Sequence, residues 1–179
     1  MKLRIVLFVA FLSFAVFSNA HALETNLFSR YSGKTVKVFV ADIQDATATR
    51  ELDLALVKAR IEAGLAGRKS ITFKVVPTAE TADITMETKI ISYGWSDHDP
   101  IDMLVGVGGT AMDAARIEDY ASMQADVTVS DVRSKKPLWK KRLFATITKK
   151  PMSKTESLPL VTDNFVKAFI KDCFSKRRS

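Results

Sequence analysis

Residues 120–132 read Tyr120-Ala121-Ser122-Met123-Gln124-Ala125-Asp126-Val127-Thr128-Val129-Ser130-Asp131-Val132. Met123, Ala125, Val127 and Val129 alternate with Gln124, Asp126, Thr128 and Ser130. Successive side chains on a strand point to opposite faces, so this run predicts a strand with one apolar and one polar face. Arg133, Ser134, Lys135, Lys136 and Pro137 follow, and they are turn chemistry. The pattern then returns over 138–148, with Trp139, Leu143, Ala145 and Ile147 on one face, and predicts the partner strand of a hairpin. A sheet that is apolar on one side needs a cover, and the cover decides the fold.

Two helical stripes supply it. Over 51–65, Leu54, Val57, Ile61 and Leu65 recur at helical spacing, widened by Leu52, Ala55, Leu56 and Ala59. Gly64 and Gly67 are expected to end this helix by allowing a left-handed cap. A last helix is expected to start near Ser157-Leu158-Pro159, where proline suits a first turn. Its stripe is Val161, Phe165, Val166, Phe169, Ile170 and Phe174.

Three more strands precede the hairpin. Val36, Val38 and Val40 alternate with Lys37, Phe39 and Ala41. Ile71, Phe73 and Val75 form a second run, stopped by Pro77. The third covers 82–95, where Ile84, Met86 and Ile90 share one face while Ile91, Tyr93 and Trp95 share the other. A bulge near Ile90 reconciles the two. Residues 23–33 read as an irregular lead-in.

The order β-α-β-β-β-β-α predicts an α+β fold: a two-layer sandwich, with a mixed sheet of about five strands and two helices on one face. The first strand-helix-strand unit is expected to pair in parallel and the later strands in antiparallel hairpins. Residues 23–179 are long enough for a single domain with a sizeable core.

The beginning of the chain gives an address. Lys2 and Arg4 precede an uncharged apolar run at 5–17, and Ala20-His21-Ala22 closes it with a small-x-small site. This is the layout of a cleavable secretory signal over 1–22, and it implies a soluble, periplasmic mature protein. Of 27 Lys+Arg and 20 Asp+Glu, two bases and no acids fall in that segment, so the mature chain carries +5. The lysines look scattered, which points to solubility with at most a peripheral membrane contact. Cys173 is the single cysteine, so no intrachain disulfide forms. It is either a buried apolar residue or the source of an intermolecular bridge.

Candidate chemistry is sparse. Met103, Leu104, Val105, Gly106, Val107, Gly108 and Gly109 form an apolar, glycine-rich segment ahead of Thr110 and Ala111. Gly106, Gly108 and Ala111 match the spacing of a dinucleotide fingerprint. However, no parallel strand-helix-strand unit surrounds them, and no Lys-Ser/Thr follows to make a P-loop. The segment is therefore expected to be a loop that docks on a partner. His98 stands among Asp97, Asp99 and Asp102 without the spacing of a metal site. No nucleophile elbow or triad order stands out. The aromatics fall on apolar faces, so they read as core rather than as stacking platforms for nucleic acid. No enzyme, cofactor or metal is expected.

Three phrases carry a family resemblance. They are Val38-Phe39-Val40-Ala41-Asp42 opening into a helix, Ala82-Asp83-Ile84 entering a long strand, and Val127-Thr128-Val129-Ser130-Asp131-Val132 turning to Pro137-Leu138-Trp139. Together they resemble the LptE-like lipopolysaccharide-assembly lipoproteins and related small bacterial periplasmic α+β proteins. The resemblance implies a non-enzymatic role that binds an outer-membrane barrel, lipopolysaccharide or another envelope partner. One departure is plain: Leu23 stands where a lipoprotein would carry its lipidated cysteine. The alternative is a small-molecule, lipid or nucleotide binder, or an enzyme, using the Gly106 to Ala111 loop and the His98 cluster.

Overall fold

A computed structural model describes residues 23–66, 71–95, 121–148 and 153–176. Among them the chain forms strands β1 (Thr35–Val40), β2 (Gln44–Asp45), β3 (Thr72–Val75), β4 (Ile84–Trp95), β5 (Ala121–Asp131) and β6 (Pro137–Ile147). Helices are α1 (Phe28–Tyr31), α2 (Leu54–Ala66) and α3 (Lys154–Phe174), with a 3-10 turn at Ala79–Thr81. The sheet runs β3-β1-β4-β5-β6, with the two-residue β2 added beside β4. β1 pairs in parallel with β3 and β4, while β4-β5 and β5-β6 are antiparallel. The fold is the expected two-layer α+β sandwich with a mixed sheet.

The alternating strands bury one face. Val36, Val38 and Val40 of β1 lie under the helices with Ile84, Met86 and Ile90 of β4. Met123, Ala125, Val127 and Val129 of β5 join them with Trp139, Leu143, Ala145 and Ile147 of β6. The conflict of faces in β4 is resolved by a register shift between Ile90 and Ser92. Ile91 is the extra residue, and beyond it Tyr93 comes opposite Met123, on the helix side. A second shift between Val129 and Ser130 leaves Leu138 extra in β6, which lets the consecutive Leu138 and Trp139 both be buried.

Aromatic rings on α3 tie the layers together. Phe174 packs edge-on to Phe73 of β3 at 5.0 Å and to Phe169 at 5.7 Å. Phe169 in turn meets Trp139 of β6 at 5.7 Å. Edge-to-face pairs of this kind add about 0.5–1.5 kcal/mol each beyond their burial. The two outer strands of the sheet are thereby joined through a single helix.

Four sequence expectations are corrected. Gly64 does not end α2; it lies inside the helix, at the point of closest approach to α3, and Gly67 falls outside the described residues. A Cβ on Gly64 would stand 2.9 Å from Val166 Cγ1. Helix α2 starts at Leu54, capped by Asp53, whose Oδ1 accepts the Leu56 N–H at 2.9 Å. Its buried stripe is Val57, Ile61 and Leu65, while Ala55 and Ala59 are exposed. Helix α3 begins a turn earlier than Ser157: Ser153 is its N-cap, in a reciprocal capping box with Glu156, so Pro159 sits inside the helix. The lead-in is irregular at 23–27 as expected, but it continues into the short α1 and is packed down, with Leu27 fully buried and its N–H bonded to the Cys173 carbonyl at 2.6 Å.

Replacing Gly64 by Ala tests the helix contact. Helix propensity alone predicts a gain of about 1 kcal/mol, whereas overpacking against the stiff Val166 costs about 1–3 kcal/mol. Urea denaturation should show a net loss of stability for Gly64→Ala, relieved when Val166→Ala is added. A gain for the single variant would show that the two helices part without cost.

Candidate functional site

The seven loop residues Met103, Leu104, Val105, Gly106, Val107, Gly108 and Gly109 lie outside the described residues, as do Thr110, Ala111 and the His98 cluster. The structure does place the base of that segment. Trp95 at the end of β4 pairs with Ala121 at the start of β5, so the two residues that flank 96–120 are neighbours on adjacent interior strands. Trp95 is 43% exposed there. Next to it Tyr93 fixes the start of α3, its hydroxyl lying 2.6 Å from Ser157 Oγ and donating to the Lys154 carbonyl at 3.4 Å. Burial raises the pKa of the Tyr93 phenol, and the Ser157 contact lowers it by less. The hydroxyl therefore stays protonated and can donate.

The opposite end of the sandwich holds the lead-in. Asn26 Nδ2 donates to the carbonyls of Asp172 at 2.9 Å and Ser175 at 3.0 Å, capping the end of α3. The Glu24 N–H bonds to the Leu138 carbonyl at 2.8 Å. The 21 residues of α3 separate the two ends by roughly 30 Å at 1.5 Å per residue. The Trp95–Ala121 pair and Leu23 are thus at opposite ends of the described fold.

The sheet face away from the helices is polar. Register puts Lys89, Asp126 and Arg142 in one cross-strand row. Arg142 grips Asp126 with two hydrogen bonds, Nε to Oδ1 at 2.7 Å and an Nη2 contact to Oδ2 at 2.9 Å. The Arg142 hydrogen bond holds the Asp126 carboxyl below the usual carboxylate range. The next row carries Ser92, Gln124 and Phe144, and Phe144 is 59% exposed. A large aromatic ring flanked by charges and amides can recognise a partner but offers no acid–base pair poised for catalysis. Among the described residues no group of three or more His, Cys, Asp or Glu could hold a metal ion. No described helix is long and apolar enough to cross a membrane.

Cys173 is settled by burial. It is fully enclosed beneath the lead-in, and burial pushes its thiol pKa strongly up. A thiol held neutral and covered is a poor nucleophile.

Two measurements follow. In native protein Cys173 should not react with a thiol-specific disulfide reagent, and one equivalent should react in denaturant; rapid native labelling would contradict the burial. Asp126 has a folded pKa below its unfolded value. Its contribution to stability is present above the unfolded carboxylate pKa of about 3.9 and is lost as pH falls through the folded one. Asp126→Asn should therefore flatten the acid limb of a stability–pH curve, leaving the limb above neutrality unchanged.

No protein-family model matches the chain, and no curated protein matches it. Solved structures do. The PelC dodecamer of Paraburkholderia phytofirmans superposes with a TM-score of 0.51 at 13% identity, over 79% of this chain and 90% of that one. The hypothetical protein CT253 of Chlamydia trachomatis gives 0.49 at 11% identity, over 76% and 94%. Lipoprotein GNA1162 of Neisseria meningitidis gives 0.40 at 12% identity, over 74% and 96%. At 13% identity the PelC likeness shows a shared fold.

Proposed function

We propose that this chain is an exported, non-enzymatic protein of the cell envelope that binds an outer-membrane or lipopolysaccharide-assembly partner. The supporting observation is where the fold sits in the chain. The described core starts at Leu27, five residues past the expected cleavage after Ala22, and is complete by Phe174. Residues 1–22, which lie outside the described residues, carry the layout of a secretory signal. A domain arranged in this way can be released from its leader and remain folded.

The partner contact is assigned to the end that bears residues 96–120, together with the adjoining open sheet face. Trp95 and Phe144 are exposed large rings in that region. Rings of this size dominate the energetics of protein interfaces when a partner covers them. The apolar residues 103–107 belong to the same segment in sequence. The glycines there are read as freedom for a loop that docks, not as a phosphate cradle.

A photo-crosslinking amino acid placed at Trp95, at Phe144 and, as a control in the helix layer, at Lys58 tests this in cells. Adducts with an outer-membrane barrel or with lipopolysaccharide are expected from the first two sites and not from the third. Removal of residues 103–111 should abolish those adducts while thermal unfolding stays cooperative. Adducts equal at all three sites, or none at any, would reject the contact.

A further inference from the structure

A groove lies at the Leu23 end, far from the proposed partner contact. It encloses ≈ 780 Å³ between the lead-in, the start of β6 and the end of α3. Lys140, Lys141, Lys171 and Lys176 line it, with Glu24 and Asp172 as its acids. Both acids are already engaged. Asp172 accepts from Lys141, and Glu24 pairs with Arg30 at 2.8 Å. Lys140, Lys171 and Lys176 form no salt bridge among the described residues. Beyond the Glu24–Arg30 pair a second groove, of ≈ 360 Å³, adds Lys34 and Arg133 together with the carboxylates Asp83 and Asp131. Residues widely separated in sequence therefore bring a local excess of positive charge to one end of a chain whose mature net charge is only +5.

We propose that this end is a seat for an anionic membrane surface, with Lys140, Lys171 and Lys176 taking the phosphates of lipid headgroups. Three things favour a membrane over a soluble polyanion. The described chain starts at this groove, so the 22 residues that precede Leu23, with their apolar run at 5–17, adjoin it in sequence. During export a signal of that kind occupies the membrane, which brings the groove to the lipid surface as the domain folds. The groove also has an apolar element at its lip, since Leu23 is 43% exposed. Finally, the chain continues past Lys176 with Arg177 and Arg178, so its basic sequence carries on from this end. Basic clusters next to a membrane bind anionic lipid by charge, with each Lys or Arg contributing independently of exact geometry.

The contact leaves the far end of the sandwich, with Trp95, pointing away from the bilayer. It stands apart from the partner reading, because a protein could keep either contact and lose the other.

The experiment is sedimentation of the chain starting at Leu23, which holds every described core residue, with vesicles of phosphatidylglycerol and phosphatidylcholine mixed or of phosphatidylcholine alone. Binding is expected only to the anionic vesicles and should be released at 0.5 M salt, on the order of a threefold shorter screening length than at 0.05 M. Each lysine near the surface is worth about fivefold, so Lys140→Glu, Lys171→Glu and Lys176→Glu combined should weaken binding at least about a hundredfold. Lys58→Glu, Lys74→Glu and Lys154→Glu combined carry the same change in net charge away from the groove and should cost far less. Circular dichroism confirms that both triple variants are folded. Equal loss in the two triple variants, binding to both vesicle types, or no binding at all overturns the proposal. Tighter retention on a soluble polyanion such as heparin than on vesicles also overturns it, and gives the groove to that class of ligand.

Discussion

Phe174 touches Phe73, Phe169 and Tyr31, and Phe169 touches Trp139, so a chain of rings runs from one edge strand to the other through the last turns of α3. Among the described residues the sheet has five main strands and two long helices to cover them. Its outer strands, β3 and β6, are brought under one roof by this aromatic path. The lead-in depends on it too, because Leu27 and Asn26 can bond to the end of α3 only where that end is held. The constraint is one of area: an apolar face left open would cost about 25 cal/mol per Å² exposed.

The same packing explains Gly64. Helices α2 and α3 lie side by side with Val166 facing Gly64, and the close approach is possible because no Cβ intervenes. By sequence alone that glycine reads as a helix end, since helix ends are where glycine is most often useful. What distinguishes the two roles is the neighbour, and Val166 is 102 positions away in sequence. The start of α3 was different. The Ser153-x-x-Glu156 signature was present in the sequence, but Pro159 drew attention to a later start. Proline inside the second turn is tolerated here because Tyr93, Ser157 and the capping box hold the beginning of the helix.

The functional surfaces were unevenly legible. The apolar residues 103–107 stand out in any reading of the chain, and the structure adds the location of their base, at the end opposite Leu23. The lysine groove had no local signature at all. Lys140, Lys171 and Lys176 look like ordinary solvated charges one by one, and they become a site because a strand start and a helix end meet at the lead-in. The described residues thereby have two unlike ends, one with the exposed Trp95, the other lined by lysines.

By itself the sequence determined the elements and their sides. Alternation in β5 and β6, helical spacing in α2 and α3, and even the bulge in β4 follow from periodicities of 2 and 3.6, which are local properties of the backbone. It also holds the expected address at residues 1–22 and a single cysteine, Cys173. Only the tertiary structure decided that β4 inserts beside β1, that β3 is an edge, that Gly64 is a contact, and which charges converge. Those facts depend on which surfaces meet, and contacts between distant segments are set by the packing of the whole core rather than by any pattern within a few residues.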